Sequence, residues 1–440
     1  MGQSDTNRNP MDLRSKNIRN VCFYSFNFQD ALSHLRLIGP AHHLDLNVIH
    51  GVENGKVFVD RAQMGDVIVL QRDFPRDIEA YHEIQTIAQR KQIPVVLDID
   101  DLLFELPEDH PDRQKHTFTA TLLPTFLAML EADLITVTTQ PLCDYVLNFN
   151  KNVLVLPNYL DDQIWQLKTP TQNSQPKAKI VIGYMGGHTH QPDLALILPV
   201  IKELTQRYPG RLEIQFWGTQ PPEELSVLPN VHRHDQITWN YQDFATYFQT
   251  QSADIFIAPL ANNEFNNSKS SIKYLEYGAL GVPCVFSQVE PYGTVITQGE
   301  NGFLASTSEE WLDCLTQLIE SPDLRQSIAT KARADIQSNW LLSDHASLWV
   351  SAYINARATM TSKTDVEPKV LEMIRNLSRQ IVAMDRFTND QLEQKRDKII
   401  ELEDLVAQKD ATITGITNSR TWKLALLFRR MREFIAPSKN

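Results

Sequence analysis

Short apolar runs, too brief to be helices, recur along this chain at helix-length intervals, and after one polar interruption the pattern starts again. In the first half the runs fall at 21–26, 67–70, 95–97, 134–138 and 153–156, with helical stretches over 75–90 and 122–132 between them. Apolar runs of this length suit strands buried on both faces, as in a parallel sheet. Parallel neighbours need a long crossover, so strand–helix–strand spacing predicts right-handed βαβ units. Residues 169–178, with Pro170, Ser174 and Pro176, read as a linker. The alternation resumes with strands predicted at 180–185, 212–217, 254–258 and 283–287 and helices over 196–208 and 271–280. A chain of 440 residues, 42% of them apolar and 22% charged, has room for two or three ordinary cores. The expected fold class is α/β, with two doubly wound, Rossmann-like domains facing a cleft and ligands at the carboxyl ends of the strands.

The net charge of -12 argues against nucleic acid as a partner, which needs a basic face. Cys22, Cys143, Cys284 and Cys314 are scattered with no C-x-x-C pair, so they suit buried thiols in a reducing compartment better than zinc or disulfides. The polar first sixteen residues resemble no signal peptide, and no apolar run approaches the ~18 residues of a membrane span. A cytoplasmic location is expected.

From about 366 the periodicity changes. Val370, Ile374, Leu377, Ile381 and Met384, then Ile399, Leu402, Val406, Ile413 and Ile416 after a break near 388–395, follow a heptad seam. This predicts either a coiled coil that makes a homo-oligomer or a helix packed on the protein's own body. The last segment sets Trp422, Leu424, Leu427, Phe428, Met431 and Phe434 among Arg420, Lys423, Arg429, Arg430 and Arg432. Such a basic amphipathic helix lies in an anionic membrane surface, binds a partner protein or packs on the protein itself. The expected boundaries are a disordered 1–16, domains at 17–168 and 179–345 around the linker 169–178, a crossover helix and linker at 346–365, a coiled coil at 366–419 and a basic tail at 420–440.

The densest chemistry lies at 262–285, N-N-E-F-N-N-S-K-S-S-I-K-Y-L-E-Y-G-A-L-G-V-P-C-V. It follows a predicted strand and opens a helix near Ser270 or Ser271. A helix N-terminus with Lys269 beside it suits a diphosphate. Glu276, two turns on, is placed to accept hydrogen bonds from vicinal hydroxyls such as those of a ribose. Gly278 and Gly281 before Pro283 let the helix end.

These residues resemble the second domain of GT-B glycosyltransferases of the large retaining family, glycosyl transferases group 1. L-E-Y-G-A-L-G-V-P-C-V matches the second half of that family's glutamate motif, and Phe265, Asn266, Lys269, Ser270, Ile272, Lys273, Leu275, Glu276 and Tyr277 match a divergent branch with F-N-x-x-K-S-x-I-K-x-L-E-Y. V-L-P-N-Y-L-D-D (155–162), I-G-Y-M-G-G-H-T-H (182–190), P-Y-G-T (291–294) and E-N-G-F-L (300–304) fall in the family's order. The chain departs from the family in three places. Ser268 stands for the first glutamate, Gly187 and Pro192 stand for the phosphate-binding Arg and Lys, and Asp100 stands for a catalytic-site histidine.

The resemblance implies a retaining, metal-independent enzyme that needs no cofactor and uses a nucleotide-diphosphate sugar as donor. Gly186, Gly187, His188, His190, Asn266, Lys269, Ser270, Lys273 and Glu276 would form the donor site, with the two histidines and Lys269 replacing the missing cations. The acceptor would be a glycan or lipid-linked sugar in cell-surface polysaccharide synthesis, with the protein peripheral on the cytoplasmic face of the inner membrane. An inactive scaffold of the same fold is the alternative.

In V-V-L-D-I-D-D-L-L-F (95–104), Asp98 and Asp100 are expected on one face of a continuing strand and Asp101 on the other. Four readings compete: contact of Asp100 or Asp101 with the transferred sugar or acceptor hydroxyl, a D-x-D cation site, a phosphatase D-x-D-x-T motif with Leu102 in place of its threonine, and a purely structural role in capping the next helix or pairing with Arg36 or Arg72. Arg36, in R-L-I-G-P-A, is expected either to grip an anionic acceptor or to make a surface salt bridge.

Overall fold

A computed structural model describes residues 18–170, 177–235, 238–360 and 366–435, without the side chains of His188 and 433–435. The predicted disordered N-terminus and most of the 169–178 linker lie outside the described residues.

The first domain is a six-stranded sheet of β1 (Asn20–Tyr24), β2 (Asn47–His50), β3 (Val67–Gln71), β4 (Val95–Ile99), β5 (Leu134–Val137) and β6 (Val153–Val155), in the order β2-β1-β3-β4-β5-β6. Every pairing is parallel. Alternate residues bury opposite faces: Cys22, Ile68, Leu70 and Leu97 pack on one side with α2 (Ile78–Lys91) and α3 (Thr119–Glu131). Val21, Phe23, Val67, Val69 and Val96 pack on the other. A helix precedes these, α1 (31–43), and α4 (Gln140–Val146) follows β5.

The second domain repeats the plan with β7 (Ile180–Met185), β8 (Leu212–Trp217), β9 (Val231–His234), β10 (Ile255–Ala258), β11 (Cys284–Ser287) and β12 (Phe303–Ala305), ordered β9-β8-β7-β10-β11-β12 and all parallel. α5 (Leu198–Arg207) and α8 (Ser308–Glu320) cover one face, and α6 (Tyr241–Phe248), α7 (Ile272–Ala279) and α9 (Pro322–Asn339) cover the other. Strand order reverses between β1 and β3 and between β7 and β10, and crevices open at the carboxyl ends of such pairs.

The strands not expected from sequence are β2, β9 and β12. All three are sheet edges: β2 and β9 have partly exposed or polar side chains and lack a continuous apolar run, and β12 is apolar but only three residues long. A small hairpin, Val52–Glu53 with Lys56–Val57, turns at Asn54-Gly55, both at positive φ.

The chain then returns to the first domain. α10 (Ser347–Thr359) lays Trp349, Ala352, Tyr353 and Ala356 against the face of Val21 and Val69. Both crossings between domains meet: Leu160 N–H donates to the Trp340 carbonyl and Leu342 N–H to the Leu160 carbonyl, each at 2.9 Å. Beside them the Asp161 carboxylate bridges His34 Nε2 at 2.7 Å and His43 Nε2 at 2.8 Å.

Arg36 neither faces an anionic acceptor nor makes a surface salt bridge; it pairs with one of the three aspartates, as the pairing reading expected. It sits on a π turn, His34–Ile38, inside α1, and it is fully buried. Its Nε and Nη2 donate to the two oxygens of Asp98 at 3.1 and 2.9 Å, and its Nη1 donates to the Leu156 carbonyl and to Asn158 Oδ1. Trp349 Nε1 donates to the Arg36 carbonyl at 2.7 Å, so the widened turn is satisfied from α10.

α11 (Pro368–Asn418) runs unbroken through the predicted break at 388–395, which interrupts only the apolar periodicity. Its first turns belong to the first compact unit, where Leu371 and Ile374 join the first domain's core. Of the predicted seam positions over 370–384, Ile374 is buried, whereas Val370, Leu377 and Met384 are exposed. The described residues from 379 onward form a second unit: the rest of α11, on which Ile399, Leu402, Val406, Ile413 and Ile416 are exposed, and α12 (Arg420–Ile435).

Removing one partner of a buried ion pair strands the other charge. Arg36→Ala is expected to lower stability by about 3–5 kcal/mol in urea unfolding, and Arg36→Ala with Asp98→Ala to lose less than Arg36→Ala alone.

Candidate active site

Between the two sheets lies a cavity of about 540 Å³. The first domain contributes Asn27, Asp30 and Arg72 to its wall, and the second contributes Gly186, Lys273 and Glu276. The floor on the second side is the reversal point beside β7. Here Gly186 is required, since a Cβ would come within 2.4 Å of the Tyr184 hydroxyl, whereas Gly187 faces open space.

α7 carries the donor-side residues. Its N-cap, Ser271, makes no side-chain capping bond, and although the Tyr274 amide donates to the Ser271 carbonyl, the amides of Ile272 and Lys273 are left for a ligand. Tyr274, Leu275 and Tyr277 bury the helix against the core, and the other side of the helix presents Lys273 and Glu276 to the cavity. Tyr241 donates its hydroxyl to Glu276 Oε1 at 3.0 Å and accepts from Trp165 Nε1 at 3.2 Å. Burial pushes Glu276 up to about 7, against the Tyr241 hydrogen bond and the charge of Lys273. Burial likewise pushes Lys273 down, against the attraction of Glu276.

Lys269 lies just before α7, after a short helical turn, Glu264–Asn267. Its ammonium sits 4.1 Å from the centre of the Phe265 ring and 3.5 Å from Asp101 Oδ1. Arg72 pairs with Asp100 and, at 3.3 Å, with Asp101. The three aspartates therefore split differently from the expectation. β4 ends at Ile99, so strand alternation stops there. Asp98 turns inward to Arg36, while Asp100 and Asp101 share Arg72. Burial raises Asp100 to about 7 against the pull of Arg72, with repulsion from Asp101 and Asp98 adding to the rise. Burial also pushes Asp101 up, but Lys269 and Arg72 outweigh it and hold it at about 2. One carboxyl keeps a proton to near neutrality beside one that is firmly ionised, an arrangement typical of reacting sites.

The D-x-D cation reading finds its carboxylates engaged by guanidinium and ammonium groups. Among the described residues, the group of His, Cys, Asp and Glu close enough to share a cation is His43, Asp161 and Asp162, at the domain junction.

His190 Nδ1 bonds Asp193 Oδ2 at 2.7 Å. Burial and nearby Lys273 push His190 down to about 4 despite that bond. The ring is thus neutral at pH 7 with its proton on Nδ1, since a carboxylate only accepts, and Nε2 is left as an acceptor. That atom suits a sugar hydroxyl rather than the phosphate expected from sequence. Asn266 is turned inward: its Nδ2 donates to Asp193 Oδ1 at 3.1 Å and to the Ala261 carbonyl at 3.0 Å, so it braces the loop. Ser270 Oγ accepts from Asn158 Nδ2 at 2.9 Å. The side chain of His188 lies outside the described residues. Asp193 and Tyr241 carry much of this geometry but were not singled out from sequence, and Arg72 was named there only as a pairing partner of the aspartates. Apart from His190, the partners of Asp193 and Tyr241 are remote in the chain, and no local pattern marks them.

Residues 179–321 match the model of the family described as glycosyl transferases group 1. The second domain is thus the part of the chain that resembles the group 1 family. Over both domains the fold is similar to sucrose-phosphate synthase from Thermosynechococcus elongatus, with a TM-score of 0.56 and 12% identity over 77% of this chain and 99% of that one. It is also similar to Anabaena Alr3699/HepE in complex with UDP-glucose, with a TM-score of 0.53 and 15% identity over 78% and 99%. A glycosyltransferase from Rickettsia africae gives 0.53 and 11% over 77% and 99%. At such identities the likeness is one of fold, the GT-B arrangement of two parallel-sheet α/β domains. No curated protein matches the chain. α7 and its glutamate fall inside the second domain, and the aspartates that face Lys269 come from the domain before it.

Unfolded, Glu276 loses its proton near 4.5, and in the second domain it does so near about 7. Between these values the native state holds more protons, so stability falls as pH rises and the penalty is complete above about 7. Glu276→Gln is expected to melt above wild type at about pH 8, by on the order of 2 kcal/mol, with the difference closing below about pH 4.5. Melting curves across that range check this, and a pH-independent difference would mean that burial does not hold the proton.

Proposed function

We propose that the protein transfers a sugar from a nucleoside-diphosphate sugar to a hydroxyl of a glycan or lipid-linked acceptor, with retention at the anomeric carbon and without a metal. The observation that carries the reading is the cavity between the two domains, with Lys273 and the buried Glu276 of α7 on one wall and Arg72 on the other. Beside it Lys269, which lines a smaller cavity with His190, meets Asp101 of the Asp100–Arg72–Asp101 group.

Lys269 and the first-turn amides hold the diphosphate and stabilise its charge as the sugar departs, the kind of fixed electrostatic contribution that usually dominates catalysis. Glu276, oriented by Tyr241, receives the ribose hydroxyls. The acceptor hydroxyl, presented from the first domain, attacks the anomeric carbon from the face that the diphosphate leaves, and its proton passes to the leaving phosphate oxygen. Asp100 or Asp101 contacts the transferred sugar or that hydroxyl. His190 Nε2 accepts from a donor sugar hydroxyl, and burial between two domains keeps water from competing.

The reading extends to the second unit. The exposed apolar positions on α11 support a homo-oligomeric coiled coil. α12 carries Trp422, Leu424, Leu427, Phe428 and Met431 among basic residues, which supports peripheral attachment to an anionic membrane face and a role in cell-surface polysaccharide assembly. Among the described residues no helix is long and apolar enough to cross a membrane.

A thermal-shift screen with UDP, GDP, ADP and their sugars, with and without EDTA, tests the donor site. A ligand at about 100 times its Kd stabilises by ~2.7 kcal/mol. The expected result is one nucleotide that shifts melting regardless of EDTA, with the shift lost in Glu276→Ala and Lys269→Ala. No shift with any nucleotide favours an inactive scaffold. Asp100→Asn and Asp101→Asn are expected to cut turnover at least about tenfold, and normal turnover in both would remove these residues from the reaction. Deletion after Ser419 is expected to abolish sedimentation with anionic vesicles, and unchanged sedimentation would rule out the tail as anchor.

A further inference from the structure

Three consecutive residues of the second domain are each held by the first. Thr139 Oγ1 donates to the Ser268 carbonyl at 2.7 Å, Asp101 meets Lys269, and Asn158 Nδ2 donates to Ser270 Oγ at 2.9 Å. These residues join the short helical turn at 264–267 to the start of α7, where the diphosphate is proposed to bind.

Of the three tethers, the last is built into the core. Asp98 is buried between β3 and β5, accepts from Thr136 Oγ1 at 2.6 Å and takes Arg36 through both oxygens. Arg36 Nη1 then donates to Asn158 Oδ1 at 3.1 Å. A guanidinium only donates, so the amide of Asn158 must turn its oxygen to Arg36 and its N–H toward Ser270. Asn158 is itself 9% exposed. A buried ion pair thereby fixes one amide orientation, and that amide fixes the residue next to Lys269.

We propose that Asn158 is a positioning residue for the diphosphate: Arg36 and Asp98 orient it, and through Ser270 it sets Lys269 and the first turn of α7 in the geometry that receives the phosphates. The proposal rests on the donor reading above. Glu276, further along α7, is held separately by Tyr241, so the nucleoside end of the site does not depend on Asn158.

The test compares affinity, by calorimetry, for the tightest binder among UDP, GDP and ADP and for its parent nucleoside, on wild type, Asn158→Ala, Ser270→Ala and the double variant. Each single change is expected to weaken the diphosphate about three- to tenfold, the double variant to be no weaker than the weaker single, and the nucleoside to bind equally to all four. Additive losses, or parallel loss for the nucleoside, would overturn the proposal. Should Asn158→Ala fail to fold, Ser270→Ala and Ser270→Thr decide it, because threonine keeps the acceptor oxygen, and equal loss in both would count against the proposal. A wild-type protein that binds none of the three nucleotides overturns the donor reading and this role with it, whereas binding with additive losses removes the role alone.

Discussion

The guanidinium of Arg36 has no access to water, and much of the architecture is arranged around supplying it with acceptors. Asp98 brings the end of β4, the Leu156 carbonyl brings the exit of β6, Asn158 brings the junction with the second domain, and Trp349 closes on the same turn from α10. A buried ion pair is a poor source of net stability, because desolvation consumes most of the Coulombic gain. What it supplies is specificity: any misregister among these four segments leaves a charge without a partner. The π turn in α1 belongs to the same arrangement, since Trp349 takes up the Arg36 carbonyl within it.

The second organising feature is that charges in the cleft are not evenly satisfied. Arg72 and Lys269 between them hold Asp101 ionised, while Asp100, equally buried and with only Arg72 as close cation, holds its proton to near neutrality. Glu276 and Lys273 are both pushed toward their neutral forms by burial. A cavity lined in this way has cationic and proton-bearing groups whose solvation is incomplete until a ligand supplies it. That is the electrostatic counterpart of a preorganised site.

The region 268–270 is where the two features meet. Lys269 depends on the first domain for its carboxylate partner, and its neighbours depend on Thr139 and Asn158. The second domain thus contains the motif, but the motif's local geometry is set partly from outside that domain.

Much of this was legible in the chain. Buried parallel strands must be continuous apolar runs, so the central strands of both sheets, the restart after the linker and the opening of α7 could be read from local pattern, as could the placement of Lys269 before that helix and Glu276 along it. Edge strands β2 and β9 could not, because half-exposed strands need no apolar run, and β12 could not because three residues make too short a run. Nor could the fate of the three aspartates. Sequence spacing assigns them to strand faces, but their roles follow from where the strand stops and which cations, 28 to 168 residues away, fold against them. The same holds for the inward turn of Asn266, the neutral ring of His190 and the burial of Arg36. Local backbone preference and hydrophobic period act over a few residues and are written in the sequence. Burial and charge pairing arise between segments distant in the chain, so only the tertiary structure decides them.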